Sequence, residues 1–294
     1  MTIITEFAPA KINLTLEVLG KRPDGYHELQ SLVAFADVGD VVTLDTSKPV
    51  GVTVSGPFAN SIAGANLIET TLRHIADVAP ALQLGAVHLE KNLPVAAGIG
   101  GGSADAAAVI RAVQRANANH ARAVDWKHVG LRIGSDVPVC LVSRLAWMRG
   151  AGEIVAPLTL PEAARIDAII VNPLMPVPDD KTARVFRAFA SEPHFREGRP
   201  EVHPSIRNRD EFLQVVCREW RNDLQIAALK TMPAIESVMN AIGGVMRPGG
   251  RVARMSGAGP TCFAILDDSN DAVSAAATLQ RARPDWWVKA VTLG

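Results

Sequence analysis

The 294-residue chain lacks any imbalance of charge: 30 basic residues face 30 acidic ones, for a formal net charge of zero. Without a global field, no attraction to nucleic acid or to an anionic membrane is expected, and any recognition of phosphate has to be local. Cysteine is scarce. Cys140, Cys217 and Cys262 are an odd number, widely separated, with no CxxC spacing, which argues against a disulfide framework or a zinc site and suggests a reduced, cytoplasmic protein. Apolar runs of the roughly 20 residues that a membrane span needs are missing, and residues 1–6 hold no basic segment leading into an apolar stretch. Neither a transmembrane helix nor a signal peptide is expected. Internal repeats and low-complexity tracts are absent as well.

What is there reads as mixed α and β structure. Apolar and polar residues alternate over 11–19, and 40–45 and 52–55 look like further strands. Residues 66–78 carry Leu67, Ile68, Leu72, Ile75 and Ala76 at helical spacing, and a strand over 87–93 precedes a glycine-rich loop and an alanine-rich helix over 104–113. A helix over 125–133 and a strand over 145–148 follow. The second half opens on an apolar strand, 166–171, continues with helices over 181–190, 210–219 and 234–242, and has a polar insertion at 191–209 that reads as a mobile loop. Its end, 251–256, 261–266, 271–283 and 286–292, reads strand, strand, helix, strand, an α+β layer with helices on one face of an antiparallel sheet. A boundary between 157 and 165 divides the chain into domains of residues 1–160 and 161–294.

Residues 94–105, PVAAGIGGGSAD, are the most informative stretch. Four glycines within five positions are costly in backbone entropy, which points to close approach of a ligand, a tight structural turn being the alternative. They stand where a strand passes into a helix whose first N–H groups lack partners, a setting suited to an anion. The known loops do not fit. A Walker A loop needs lysine where Gly102 stands, and a Rossmann fingerprint started at Gly98 and Gly100 places its last glycine on Ser103. The protein-kinase glycine loop fails in the same register and lacks its companion motifs. Ser103 could cap the helix and offer its hydroxyl to a phosphate oxygen or a metal ion, while Asp105 either favours the helix dipole or lies near a nucleotide's metal.

Four further features accompany the loop. Lys11 lies in an otherwise alternating strand with Asn13 on the same face, and is either a snorkelling lysine or an inward one that needs a partner. Asp136, in GSDVP at 134–138, is a candidate partner or a cap. Tyr26, the only tyrosine, and His27 follow a turn; they are either solvated hairpin residues or a stacking ring beside a hydrogen-bonding imidazole suited to a planar base. The turn SGAGPT at 256–261 is a second anion-sized nest or an ordinary tight turn.

In their order, APAKINL at 8–14, RPDGYHEL at 22–29, PVAAGIGGGSAD at 94–105, GSDVP at 134–138 and SGAGPT at 256–261 resemble the galactokinase, homoserine kinase, mevalonate kinase and phosphomevalonate kinase (GHMP) superfamily. The DGYHEL segment is similar to the members that act on a cytidyl-diphosphate sugar alcohol. The resemblance covers essentially the whole chain and implies a two-domain α+β fold, with an N-terminal ribosomal-protein-S5-like α/β domain and a C-terminal ferredoxin-like domain. It implies transfer of the ATP γ-phosphoryl group to the 2-hydroxyl of 4-diphosphocytidyl-2-C-methyl-D-erythritol, with magnesium accompanying the nucleotide.

By position, Asp136 is then the catalytic carboxylate and Lys11 its partner. Pro94, Gly98, Gly100, Gly101, Gly102, Ser103, Ala104 and Asp105 form the ATP loop, with Ser103 the one candidate metal ligand. Tyr26, His27 and Phe186 make the base pocket, and Asn13 lies near the substrate hydroxyls. The departures are Ala104 at a variable position, Ala258 where serine is frequent, and the insertion at 191–209, which has no clear counterpart. A kinase for another small alcohol, or a non-catalytic nucleotide sensor, is the competing expectation. Small molecules are the expected partners, and the protein is expected to be a monomer or a homodimer.

Overall fold

The structure, a computed structural model, describes residues 2–62, 66–159, 166–191, 208–214, 216, 221–246 and 252–294. The chain forms two compact units: residues 1–11, 38–95 and 100–143 make the first, and residues 12–37, 96–99 and 144–294 the second. The units interleave along the chain, whereas the sequence suggests a single division near 160; residues 160–165 lie outside the described set.

In the first unit, strand β1 (Ile3–Asn13) pairs with β3 (His27–Asp45), whose last five residues pair antiparallel with β5 (Ala86–Glu90). Strand β4 (Gly51–Ser55) lies parallel to β5. Helices α1 (Leu67–Val78), α2 (Gly101–Ala116), α3 (Trp126–Ile133) and α4 (Val137–Val142) complete it. Two of them begin where side chains cap them: Asn66 Oδ1 accepts from the Ile68 amide at 3.0 Å, and Asp125 Oδ1 from the His128 amide at 3.0 Å. Each cap contributes about 1 kcal/mol to its helix. Helix α1 buries Ile68, Leu72 and Ile75, the stripe its spacing predicts. Helix α2 buries an alanine-rich face, Ala104 to Ala108 with Val109, Ile110, Ala112 and Val113, and small side chains let neighbouring helices approach closely. Arg111 fixes α2 to its surroundings. Its guanidinium donates to Glu6 Oε2 at 3.0 Å, the Phe7 carbonyl at 2.7 Å and the Cys140 carbonyl at 2.9 Å, tying α2 to β1 and α4.

In the second unit, β2 (Glu17–Lys21) and β6 (Ala146–Gly150) pair antiparallel with the first part of β3, and β7 (Ile154–Pro157) with β6. Strands β8 (Ile166–Asn172), β9 (Val252–Met255), β10 (Cys262–Ile265) and β11 (Trp287–Leu293) make an antiparallel sheet in the order β11-β8-β10-β9. All seven residues of β8 are buried, as a central strand covered on both faces requires. Helices α5 (Lys181–Ser191), α6 (Arg209–Gln214), α7 (Gln225–Thr231), α8 (Ala234–Val245) and α9 (Ser269–Ala282) belong to this unit. One core joins Ile169 and Val171 of β8 to Val185, Phe189, Ile235 and Leu279 of the helices. Each such side chain, fully buried, contributes about 1.5–3 kcal/mol.

The expected strand over 11–19 is two strands, β1 and β2, interrupted at 14–16, and the strand expected at 40–45 is the end of the 19-residue β3. Most of the insertion at 191–209, part of the helix expected over 210–219, and Cys217 lie outside the described residues.

Candidate active site

The first unit brings Lys11 and Asp136 together. Lys11 Nζ lies 2.8 Å from Asp136 Oδ2, with the lysine side chain 4% exposed and the aspartate 35% exposed. Lys11 is therefore the inward lysine with a partner, not a snorkelling one. Asp136 stands at the N-terminus of α4 without capping it: its carboxylate makes no bond to the helix's amides and faces the ammonium instead. A carboxylate with one oxygen on a buried cation and a third of its surface open can reach a substrate hydroxyl.

The glycine loop enters α2 in the same unit. Gly100 is the N-cap, in the left-handed region at φ 64°, and gives the helix no side-chain cap. A Cβ at Gly100 would lie 3.1 Å from Cβ of Lys11, so glycine lets the loop's backbone press against that lysine. The Ala104 amide closes the first helical bond, to the Gly100 carbonyl at 2.8 Å, and the amides of Gly101, Gly102 and Ser103 precede it without an intrahelical partner. This corrects two expectations. Ser103 is the third residue of the helix and not its cap, because glycine's freedom at position 100 already turns the chain. Asp105 lies beyond the first turn and is buried, so the dipole does not account for it.

Asp105 belongs to a sealed ion cluster that the sequence did not reveal. Lys91 Nζ lies 2.5 Å from Asp40 Oδ2 and 2.6 Å from Asp105 Oδ2, and all three side chains are nearly inaccessible. Asp40 Oδ1 also accepts from the amides of Asn92 and Leu93, whereas Asp105 Oδ1 has no hydrogen-bond partner among the described residues. Burial, with the nearby Asp40 charge adding to it, pushes the Asp105 carboxyl up to about 7 against the opposing pull of Lys91. Burial alone would lower Lys91; the two carboxylates outweigh it and raise the ammonium's pKa. Lys91 Nζ lies 3.3 Å from where a Cβ on Gly101 would be, so the cluster sits directly beneath the start of α2.

The second unit holds the remaining expected residues. The ring of His27 stacks on Phe186 with centroids 4.7 Å apart and planes 21° from parallel, and meets Phe189 edge-on. Burial, with the Lys21 charge adding to it, lowers the His27 pKa, so the imidazole is neutral at pH 7, and its buried Nε2 has no hydrogen-bond partner among the described residues. Tyr26 beside it is 61% exposed. The turn that carries this pair is held by Arg22, whose guanidinium binds Asp24 at 3.1 Å and Glu153 at 2.9 Å. Asn13 donates from Nδ2 to Ser31 Oγ at 2.8 Å and from its backbone amide to Ser256 Oγ at 3.1 Å.

Residues 96–99 of the glycine loop lie against the turn 256–261. Ser256 Oγ donates to the Gly98 carbonyl at 3.1 Å, the Thr261 amide to the Ala97 carbonyl at 3.2 Å, and a Cβ on Gly98 would fall 2.5 Å from the Gly259 carbonyl oxygen. Among the described residues no group of three or more His, Cys, Asp or Glu side chains could hold a metal ion, and no helix is long and apolar enough to cross a membrane.

Two family models match the chain, "GHMP kinases N terminal domain" over residues 65–144 and "GHMP kinases C terminal" over 202–285. A protein of Methylobacterium radiotolerans named 4-diphosphocytidyl-2-C-methyl-D-erythritol kinase is 47% identical over 98% of both chains. One of the same name from Rhodopseudomonas palustris is 41% identical over 99% of both. The chain belongs to the GHMP kinases. The 4-diphosphocytidyl-2-C-methyl-D-erythritol kinases are the group it falls within, and a crystal structure of a 4-(cytidine 5'-diphospho)-2C-methyl-D-erythritol kinase matches this kinase with a TM-score of 0.74 at 32% identity over 99% of both chains. The homoserine kinase of Cytophaga hutchinsonii, at 16% identity over 99% of this chain and 96% of its own, shares the fold with a TM-score of 0.66.

Proposed function

We propose that this kinase transfers the γ-phosphoryl group of ATP to the 2-hydroxyl of 4-diphosphocytidyl-2-C-methyl-D-erythritol, giving the 2-phosphate and ADP. The Lys11–Asp136 pair carries the reading. As the hydroxyl oxygen attacks phosphorus and the bond to the ADP oxygen breaks, the hydroxyl proton passes to Asp136 or is held by it. Lys11 holds that carboxylate in place and directs positive charge toward the phosphoryl group. Little covalent chemistry is asked of the protein, since phosphoryl transfer is governed by positioning and charge stabilisation. The amides of Gly101, Gly102 and Ser103 supply donors for the nucleotide's phosphates.

Magnesium suits this arrangement as an ion that arrives with the nucleotide, because hard oxygen donors such as the Ser103 hydroxyl are present and no protein-built cage is found among the described residues. Ser103 would hold it, and the ion would neutralise phosphate charge. The acceptor's base is read by the second unit's rings. A neutral His27 with an unpartnered Nε2 suits the hydrogen-bonding edge of a cytosine, and Phe186, partly buried and stacked on His27, together with the exposed Tyr26 ring supplies aromatic surface for stacking. Asn13, its Nδ2 engaged by Ser31, keeps Oδ1 to accept from a substrate hydroxyl.

The family matches fall on either side of residue 160, although the compact units interleave along the chain. A cytoplasmic setting accords with Cys140 and Cys262, both free and buried. The test is ATP-dependent phosphorylation of 4-diphosphocytidyl-2-C-methyl-D-erythritol by the wild type and by Asp136→Asn. Turnover by the wild type and its near loss in the variant is the expected result; a variant as active as the wild type removes Asp136 from the chemistry.

A further inference from the structure

Lys181 opens α5 and is buried, only 6% exposed. Its ammonium donates to the Ala96 carbonyl at 3.0 Å and to the Gly259 carbonyl, and these are its only acceptors among the described residues. Both carbonyls belong to the facing turns, 96–99 of the glycine loop and 256–261. Ser256 and Thr261 make the neutral links between those turns; Lys181 makes the charged one.

A buried cation without a carboxylate is expensive unless something else supplies the negative charge. Among the described residues, the groups around it do not. Neither turn contains an ionisable residue. The space beside Lys181 is lined by Pro178, Arg184, Thr231 and Met232, and Arg184 binds Asp180 on the outside of the helix at 2.6 Å. Burial accordingly pushes the Lys181 ammonium down to about 8.

The peptide geometry adds a direction. A trans peptide is planar, with its N–H opposite its carbonyl, so a Lys181 that holds the Ala96 oxygen aims the Ala97 amide the other way. Ala96 itself sits at φ 54°, a left-handed conformation costly for a residue with a Cβ, and needs such an anchor to persist.

We propose that Lys181 is a positioning residue for the nucleotide: by holding the Ala96 and Gly259 carbonyls it fixes residues 96–99, the segment of the glycine loop that leads into the phosphate-binding amides. This rests on the reading of the loop as the ATP-phosphate cradle.

Calorimetric titration of ATP and, separately, of cytidine diphosphate into the wild type, Lys181→Met and Lys181→Arg, at pH 7 and pH 9.5, tests it. ATP affinity of the wild type is expected to fall about tenfold or more between the two pH values as Lys181 loses its proton. Lys181→Met should bind ATP at pH 7 more weakly than the wild type, with a clearly smaller fall between pH 7 and 9.5, while Lys181→Arg stays tighter than the wild type at pH 9.5 and cytidine diphosphate binding is unchanged throughout. A merely structural lysine would weaken both ligands together and leave no pH step. Equal ATP binding by the wild type and Lys181→Met overturns the role of Lys181 and leaves the cradle standing; a wild type that binds no ATP overturns the cradle itself. Should Lys181→Met fail to fold, a wild type whose ATP affinity is flat from pH 7 to 9.5 still overturns the proposal.

Discussion

Lys11 and Lys91 are both buried lysines bound to aspartate in the first unit, and they do opposite things. Around Lys91 both carboxylates are sealed, at 0% and 4% exposure, whereas the Asp136 carboxylate on Lys11 is 35% exposed. On the proposed mechanism, the same chemical pair is a structural brace when closed and a reactive centre when one carboxylate edge stays open. Exposure of the anion decides, more than the distance between the charges.

The largest effect that would sharpen this contrast is on turnover. Asp136→Asn is expected to lower kcat by about 10²–10⁴-fold, with a much smaller loss of thermal stability than at Lys91, because the amide keeps an acceptor for Lys11. Steady-state kinetics beside a melting curve measures both, and an inactive variant that has also lost several kcal/mol of stability would make the two pairs alike after all. Lys91→Met comes next. It leaves Asp40 and Asp105 buried without their cation, and denaturant unfolding should show a loss of about 3–5 kcal/mol; a stable variant would show that the cluster is not a brace.

The contrast extends to the rings of the second unit, where recognition is expected to depend on an open face. Phe186→Ala should weaken cytidine diphosphate binding by about 1–3 kcal/mol in a titration, leaving ATP binding alone. At Asp105 the effect is a slope with pH. Its folded pKa lies above the ordinary carboxylate value, so between about pH 4 and 7 the folded state holds a proton that the unfolded state has released. Stability from this group is full below pH 4 and is lost as the pH rises toward 7. Asp105→Asn, uncharged throughout, should flatten that slope while changing stability by less than about 1 kcal/mol near pH 4; unfolding curves at pH 4, 5.5 and 7 compare the two.

How much of this could be seen beforehand varied with how local the cause was. Helix α1 was legible because its apolar stripe and the Asn66 cap lie within one short stretch. The early part of β3 was not, since residues 30–36 are all buried and leave no alternation to read. Helix α4 has six residues, too few to show a helical period. In the site, Lys11, Asp136 and the glycine loop stood out by motif. Lys91 carried a faint signal, a charge at the end of an alternating strand just before the loop. Lys181 carried none, because the carbonyls it holds lie 85 and 78 positions away along the chain.

The interleaving of the two units bears on how the gene can be cut. The polypeptide changes unit after residues 11, 37, 95, 99 and 143, so no single break releases both units whole. A break after 143 keeps every residue of the first unit but strips the second of β2 and of the part of β3 on which β6 pairs. Fragment complementation and swapping of halves between relatives both meet the same obstacle: the order of linkage is itself a structural component of this enzyme.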